Sequence, residues 1–553
     1  MLRLFEQHRI RRVCSLDGMW NFKAEGSEKS YSLPVPGCWE QHPDFLSYRG
    51  KGIYTKQVDI GNGGNLRLIF KGVSHTAHVS FDGEEKGMHY NAFTPFTVPV
   101  GKVESGSHTI CVEVDNSFGE YSALHIPNDY YTYGGITRPA AMEWLPDVYI
   151  EKIQFIPFQR DGLWHASIGV TVQSISTKEE TIQLCARLGE ESMVSGEISL
   201  PAGKTAVLTM EKAFHGVKSW SPQDPCLYFL HMVLKRNGRE EDDLIERVGF
   251  RTIQVSGTKL LLNGEEIFLK GFNRHEDYAL LGCAIPLQLM ASDMDLMRDM
   301  GANAVRTCHY PNDERFLDLC DERGILVWEE NHARGLNLED MQNPNFDKQC
   351  ADCIREMMES HCNHPSIVIW GILNECASET EEGREKYKRQ YEQIRSMDSS
   401  RPVTSATCRH FTDISLDLPD IVSFNMYSGW YQDVSVEERN RQEIEWIRRG
   451  GGEGKPIIVS EMGAAAIYGY RDRSRCKWSE ERQADIIREN LDVYMNDPDI
   501  TGVFIWQFAD CRVTEEGGWF STRARCHNNK GVVDEYRRPK MAYDTVKEWF
   551  QKK

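Results

Sequence analysis

From about Gln254 onward the chain repeats one rhythm, a short apolar run followed by a helical stretch and then another apolar run. The runs, in order, are Ile267–Phe272, Ala304–Thr307, Leu326–Trp328, Ile367–Leu373, Pro402–Ala406, Ile421–Phe424, Ile457–Val459 and Gly502–Trp506. The helical stretches between them include 287–300, 351–361 and 480–494. Apolar runs of this length read as strands covered on both faces, and strands separated by helices pair in parallel. Eight such units over residues 254–553 predict a closed (β/α)8 barrel, whose chemistry sits at the C-terminal ends of the strands. An open doubly wound sheet is the alternative, but the first unit lacks the G-x-G-x-x-G loop of most nucleotide binders with that fold.

Upstream the pattern differs. Residues 1–147 carry short alternating stretches such as 66–70, 77–81 and 109–114, broken by turn signals at Asp82-Gly83 and residues 61–64, which predicts an antiparallel β domain. Residues 148–253 continue in strands, among them 166–172, 181–186 and 228–234, and fit a small immunoglobulin-like β-sandwich. One hydrophobic core does not grow to 553 residues, and that length suggests about three domains, fewer if one is a large barrel.

A formal charge of −19 argues against a nucleic-acid partner, which depends on clustered Lys and Arg. An anionic substrate would therefore need local positive charge. Sixteen cysteines without a repeating framework predict mostly reduced thiols in a cytoplasmic protein, and the charged N-terminus has no signal-peptide core. No run approaches membrane-spanning length. The glycine cluster at 448–455 follows a helical stretch and precedes a strand, the reverse of a phosphate loop, so it reads as a connecting turn. Cys350-x-x-Cys353 with His361, Cys362 and His364 has metal-like spacing, but it falls on a predicted helix, where buried thiols are the expected reading; no metal or other cofactor is predicted.

Two glutamates stand out, because each ends an apolar run. Glu375 follows 367–374 and Glu461 follows 457–460, so they belong to strands four and seven and face one mouth. A glutamate at a strand end also pairs readily with an arginine at a barrel rim, but two in one barrel are what glycoside hydrolysis needs. Other strand ends are polar as well, at 273–277, 306–310, 329–332 and 425–427, and a polar pocket explains such a ring better than unpartnered burial does. We expect Glu375 to be the acid/base, its proton held by the nearby carboxylate and by an aromatic wall from Trp370 or Trp506, and Glu461 to be the nucleophile of a retaining mechanism with carboxyl groups ~5–5.5 Å apart. Asn374 would donate to a sugar hydroxyl as charge develops.

Asn374-Glu375 after a Trp-bearing strand, Ser460-Glu461, the 271–277 stretch Gly-Phe-Asn-Arg-His-Glu-Asp and the early 16–22 stretch Leu-Asp-Gly-Met-Trp-Asn-Phe resemble glycoside hydrolase family 2, the β-galactosidase and β-glucuronidase family. The resemblance covers essentially the whole chain and implies a jelly-roll sugar-binding domain, an immunoglobulin-like domain and a TIM barrel in that order, with Glu375 and Glu461 in the roles given. Within the family the chain is most similar to β-glucuronidases, through Asn528-Asn529-Lys530, which is similar to their Asn-x-Lys motif for the sugar carboxylate. By composition alone that segment is an ordinary turn. The resemblance also implies sugar contacts from Asp129 and His275, a place for Tyr427 and Tyr431 beside the nucleophile and pocket, and Trp506 as the sugar platform; packing is the plainer reading of Tyr431.

The chain departs from the family pattern at Met462, where an aromatic is usual, which would alter the pocket floor, and between Asn331 and His364, which is too short for the lid loop of some bacterial members. Arg334 is a candidate reader of an axial hydroxyl or of the carboxylate. Cys376, next to Glu375, is a candidate oxidation-sensitive thiol. The expected activity is removal of a terminal β-D-glucuronic acid, with β-galacturonidase or dual uronidase as the alternative, then β-galactosidase, and last a noncatalytic carbohydrate-binding protein. The expected partner is a small-molecule or glycan uronide, with no nucleic acid or membrane, and family habit suggests a homo-oligomer.

Overall fold

The computed structural model describes residues 2–515 and 522–552. The barrel strands are β1 (Leu269–Asn273), β2 (Ala304–Thr307), β3 (Leu326–Glu330), β4 (Ile367–Asn374), β5 (Val403–Thr407), β6 (Val422–Asn425), β7 (Ile457–Met462) and β8 (Ile500–Ile505). They pair in parallel in that order, and β8 closes on β1 from Leu269↔Gly502 to Phe272↔Ile505. All eight expected runs are barrel strands, with ends displaced by a few residues.

Among the described residues, seven helices of ten or more residues cover the barrel: α1 (Leu287–Asp299), α2 (Glu314–Arg323), α3 (Phe346–His361), α4 (Glu381–Met397), α5 (Val436–Ile447), α6 (Glu480–Tyr494) and α7 (Met541–Phe550). Capping side chains start several of them. Asp313 accepts from Arg315 N–H at α2, Thr380 from Gly383 N–H at α4, and Ser479 from Arg482 N–H at α6. The expectation of eight full βα units needs one correction. Among the described residues no helix lies between β5 and β6, where residues 408–421 run as turns.

The barrel interior is packed by Leu269, Leu326, Trp328, Ile369, Ile458 and Phe504. Two glycines make room for its large rings. A Cβ at Gly271 would stand 2.4 Å from the Phe504 ring, and one at Gly371 would stand 2.3 Å from Trp328 Nε1. Trp370 does not face inward. Its Nε1 donates to Asp398 Oδ2 at 2.8 Å in the helix layer, which removes it from the expected aromatic wall of the site. Met462 likewise packs in the core between strands and helices, so its departure from the family pattern does not touch the pocket floor.

The N-terminal β region pairs a four-stranded and a six-stranded antiparallel sheet around Trp20, Phe22, Tyr54, Leu68 and Val112. The next region faces a three-stranded sheet with a five-stranded one. Its strand Leu163–Ser174 buries every second residue, as a half-covered strand should, and Phe250 closes that core against Phe155, Trp164 and Phe214. What these regions contribute to the site is a loop, residues 125–135, that reaches across to the barrel mouth. Its anchor is Gly134, whose N–H donates to Glu40 Oε1 at 3.0 Å, while a Cβ at 134 would overlap Trp39 at 1.9 Å.

Candidate active site

Glu375 lies just past β4 with φ of +54°, a left-handed conformation uncommon for a side chain with a Cβ. Its N–H is tied to Ala406 O at 2.8 Å, so the fold holds this strained position, at a local cost on the order of 1 kcal/mol. Glu461 is the fifth residue of β7 and stands in register with Asn425 of β6. The two carboxylates therefore come from strands four and seven, as the apolar runs predict.

Each has its own set of donors. Arg306 Nη1 and Tyr427 Oη donate to the two oxygens of Glu461 at 3.0 and 2.6 Å. Asn425 Nδ2 donates to Glu375 Oε1 at 2.8 Å, and Arg334 Nη2 lies 3.3 Å from Glu375 Oε2. Ser460 Oγ fixes Asn425 through its Oδ1 at 2.7 Å. The Glu375 side chain is 15% exposed and that of Glu461 3%. Burial, with the like charge of Glu375 next, pushes the Glu461 carboxyl up to about 7, against the pull of Arg306 and Tyr427. The proton expected on Glu375 is thus contested by Glu461. Beneath them Glu330, fully buried and also pushed up to about 7 by burial, receives Arg306 Nε and Nη2 at 2.9 Å each.

A cavity of about 390 Å³ opens over the pair. Asp129, Arg334, Glu375, Tyr427, Tyr431, Glu461, Trp506 and Lys530 of the residues singled out from sequence line it, together with Cys408, His410, Asn425, Gln432 and Arg523. Lys530 is 1% exposed, and its Nζ donates to Tyr431 Oη at 2.8 Å. No carboxylate pairs with it among the described residues, and burial lowers its pKa. Asp129 is held by Arg523 through Nε at 3.1 Å and Nη2 at 2.6 Å. Arg523 was not legible in sequence, since it sits in an aperiodic connection after β8 and its partner is 394 residues away. Arg306 was visible only as one polar residue at the end of strand two.

Three expected contacts stand behind the cavity wall. Asn528 donates its Nδ2–H to Asp129 Oδ2 at 2.9 Å and so supports Asp129. His275 packs edge-on to Trp506 at 5.4 Å and its Nε2 is unpartnered. Asn374 Oδ1 accepts from Arg306 Nη2 at 2.9 Å, which turns its buried, unpartnered Nδ2 into a free donor. Cys376 is fully buried against Asn374 O, out of reach of an oxidant in solution. Cys350 and Cys353 lie buried on α3, while His361 is engaged by Glu329 and His364 by Asp321. The glycines at 450–452 form the turn into β7, with Gly451 at φ of +101°.

Two carboxylates with separate donor sets, beside a polar cavity at the mouth of a (β/α)8 barrel, are the arrangement that glycoside hydrolysis needs. Residues 253–553 match "Glycosyl hydrolases family 2, TIM barrel domain" and residues 148–251 match "Glycosyl hydrolases family 2". The β-galacturonidase of Eisenbergiella tayi, solved with bound galacturonate, shares 48% identity over 100% of this chain and 99% of its own, with a TM-score of 0.98. The β-D-glucuronidase of Dictyoglomus thermophilum shares 27% over 100% and 99%, with a TM-score of 0.84. A curated β-glucuronidase of Paenibacillus borealis is 27% identical over 593 aligned positions, 96% of either chain. No helix among the described residues is long and apolar enough to cross a membrane. The match over more than half the chain, joined to the barrel and its paired glutamates, shows that this protein is a glycoside hydrolase belonging to glycosyl hydrolase family 2.

Proposed function

We propose that the protein is a retaining exo-β-uronidase whose preferred sugar is β-D-galacturonic acid. The observation that carries the anionic sugar is Lys530, a buried ammonium in the substrate cavity with a tyrosine hydroxyl but no carboxylate as its partner among the described residues. A buried cation is unfavourable unless paired, and the carboxylate of a uronic acid would be its counter-ion. Arg523 and Arg334 add positive charge to the same wall.

In this reading Glu461 attacks the anomeric carbon while Glu375 protonates the departing oxygen; Glu375 then takes a proton from water, which releases the sugar from Glu461. The donors support that division. Arg306 and Tyr427 aim at Glu461 and stabilise the carboxylate that attacks, while Glu375 receives Asn425 and Arg334 on the side open to the cavity. Glu375 is also the more exposed of the two, as suits the group that must meet both leaving group and water.

Galacturonide is favoured by 48% identity along the whole length of a β-galacturonidase bound to galacturonate. Arg334, beside Glu375 and held by Asn128 Oδ1 at 3.0 Å, is the candidate reader of the axial hydroxyl. Glucuronide is the second reading, favoured by the curated β-glucuronidases at 27% identity. Initial rates on p-nitrophenyl β-D-galacturonide, β-D-glucuronide and β-D-galactoside decide among them. A wild-type enzyme fastest on the neutral galactoside overturns the uronidase reading. An unchanged uronide ratio in Arg334→Ala removes Arg334 from sugar selection. The proposal extends to an unexported homo-oligomer, with the sixteen free thiols supporting a reducing compartment and sedimentation velocity measuring subunit number.

A further inference from the structure

Against Trp506 lies a cluster to which the proposed mechanism assigns no step. His275, Cys308 and His309 each place one ligand atom within 4.8 Å of the others, and the three side chains are 5%, 0% and 1% exposed. Buried imidazoles ordinarily satisfy both nitrogens. Here Nε2 of His275 and Nε2 of His309 have no hydrogen-bond partner among the described residues. Their other nitrogens are anchored, His309 Nδ1 by Glu330 Oε1 at 2.9 Å and His275 Nδ1 by Tyr310 Oη at 3.1 Å. A histidine whose Nδ1–H is held by a carboxylate presents a free Nε2 lone pair, which is how metal-binding histidines are oriented.

We propose that His275, Cys308 and His309 form a binding site for a thiophilic divalent cation such as Zn²⁺, and that an ion there blocks sugar binding. Two imidazoles and one thiolate suit Zn²⁺, Co²⁺ or Cd²⁺ and discriminate against Mg²⁺ and Ca²⁺, which prefer oxygen ligands. Bond lengths of ~2.0–2.1 Å to nitrogen and ~2.3 Å to sulfur put tetrahedral ligand atoms roughly 3.3–3.6 Å apart, so atoms within 4.8 Å of one another must close by up to about an ångström on the ion. Cys308 must lose its proton to solvent as it ligates. The resulting Zn²⁺–thiolate unit carries one net positive charge, with the carboxylates of Glu330 and Glu461 beside it and the Arg306 guanidinium opposing them. Glu461 Oε1 stands 3.9 Å from His309 Nε2, and the His309 ring stacks on Trp506 at 5.1 Å. An ion on His309 therefore sits against the proposed nucleophile and the sugar platform, and it competes with substrate.

The experiment titrates the chelator-treated full-length enzyme with Co²⁺ and, separately, assays uronide hydrolysis in the presence of Zn²⁺. The expected result is a thiolate-to-cobalt charge-transfer absorption in the wild type, absent in Cys308→Ser, together with Zn²⁺ inhibition that is competitive with substrate, reversed by chelator and weakened tenfold or more by the substitution. No charge-transfer band in the wild type overturns the proposal. So does a band and an inhibition constant that Cys308→Ser leaves unchanged, because the ion is then on another of the sixteen cysteines. Cys308→Ala serves the same comparison if the serine variant does not fold. The cobalt spectrum needs no turnover, so failure of the metal site and failure of the uronidase reading are separately visible.

Discussion

Arg306 Nη1 donates to Glu461 Oε1 at 3.0 Å, and the rest of the same guanidinium grips Glu330 and Asn374. One rigid fork thereby sets the orientation of Glu461, the proposed nucleophile, and that of the Asn374 amide beside Glu375, the proposed acid/base. Lysine keeps the charge but offers no planar fork, so Arg306→Lys cannot serve these partners together. We expect kcat to fall on the order of 10²- to 10³-fold, the usual effect of removing one preorganised donor, with KM changed far less. Steady-state kinetics on a p-nitrophenyl uronide checks this; a loss confined to KM would assign Arg306 to ground-state binding.

Lys530→Ala removes the buried ammonium that the sugar carboxylate is proposed to meet. A hydrogen bond to a charged group contributes ~1.5–3 kcal/mol, so kcat/KM on the uronide should fall roughly 10- to 150-fold. The same substitution should leave any residual rate on the neutral β-galactoside within a few fold, because that sugar has no carboxylate to lose. An equal loss on both substrates points instead to collapse of the wall formed with Tyr431.

The barrel was legible because unalternated apolar runs divided by helices admit few architectures, and Glu375 and Glu461 because a carboxylate interrupts such a run only at a rim. The failures have equally physical causes. Within β4 every residue is buried, so apolar patterning does not say which side of the sheet Trp370 takes, and it faces the helices. The hydrogen bond from Asn528 to Asp129 joins partners 399 residues apart, which no local pattern foretells. Arg523 was missed for the same reason. The donors of Arg306 are visible only once β2, β3 and β7 are closed into one ring.

Arg523 and Asn528 together hold Asp129 by three hydrogen bonds, so the loop from the N-terminal region is locked onto the barrel at the sugar cavity. Arg523→Ala leaves Asp129 with one of these and lets its loop shift. We expect KM for the uronide to rise about tenfold, consistent with the loss of one charge-assisted pair, while kcat stays within a few fold because neither glutamate loses a donor. The same kinetic assay checks this, and a kcat loss comparable to that of Arg306→Lys would place Arg523 in the chemical step.

Glu40 supplies a pH dependence of stability that is separate from catalysis. It is 5% exposed, its oxygens accept from Gly134 N–H at 3.0 and 3.2 Å, and burial pushes its carboxyl up to about 8. The folded protein thus keeps a proton that the unfolded chain releases near the ordinary glutamate value, so between roughly pH 4.5 and 8 the folded state binds more protons than the unfolded one. Stability from this group is fully present below that window and is lost as pH rises through about 8, on the order of a few kcal/mol. Glu40→Gln keeps an acceptor for Gly134 N–H without a charge to bury. The variant should therefore match the wild type in thermal unfolding near pH 5 and exceed it by several degrees near pH 8.5. Equal melting temperatures at pH 8.5 would show that the carboxylate finds a compensating charge, with Arg49 and Arg512 as the nearest sources.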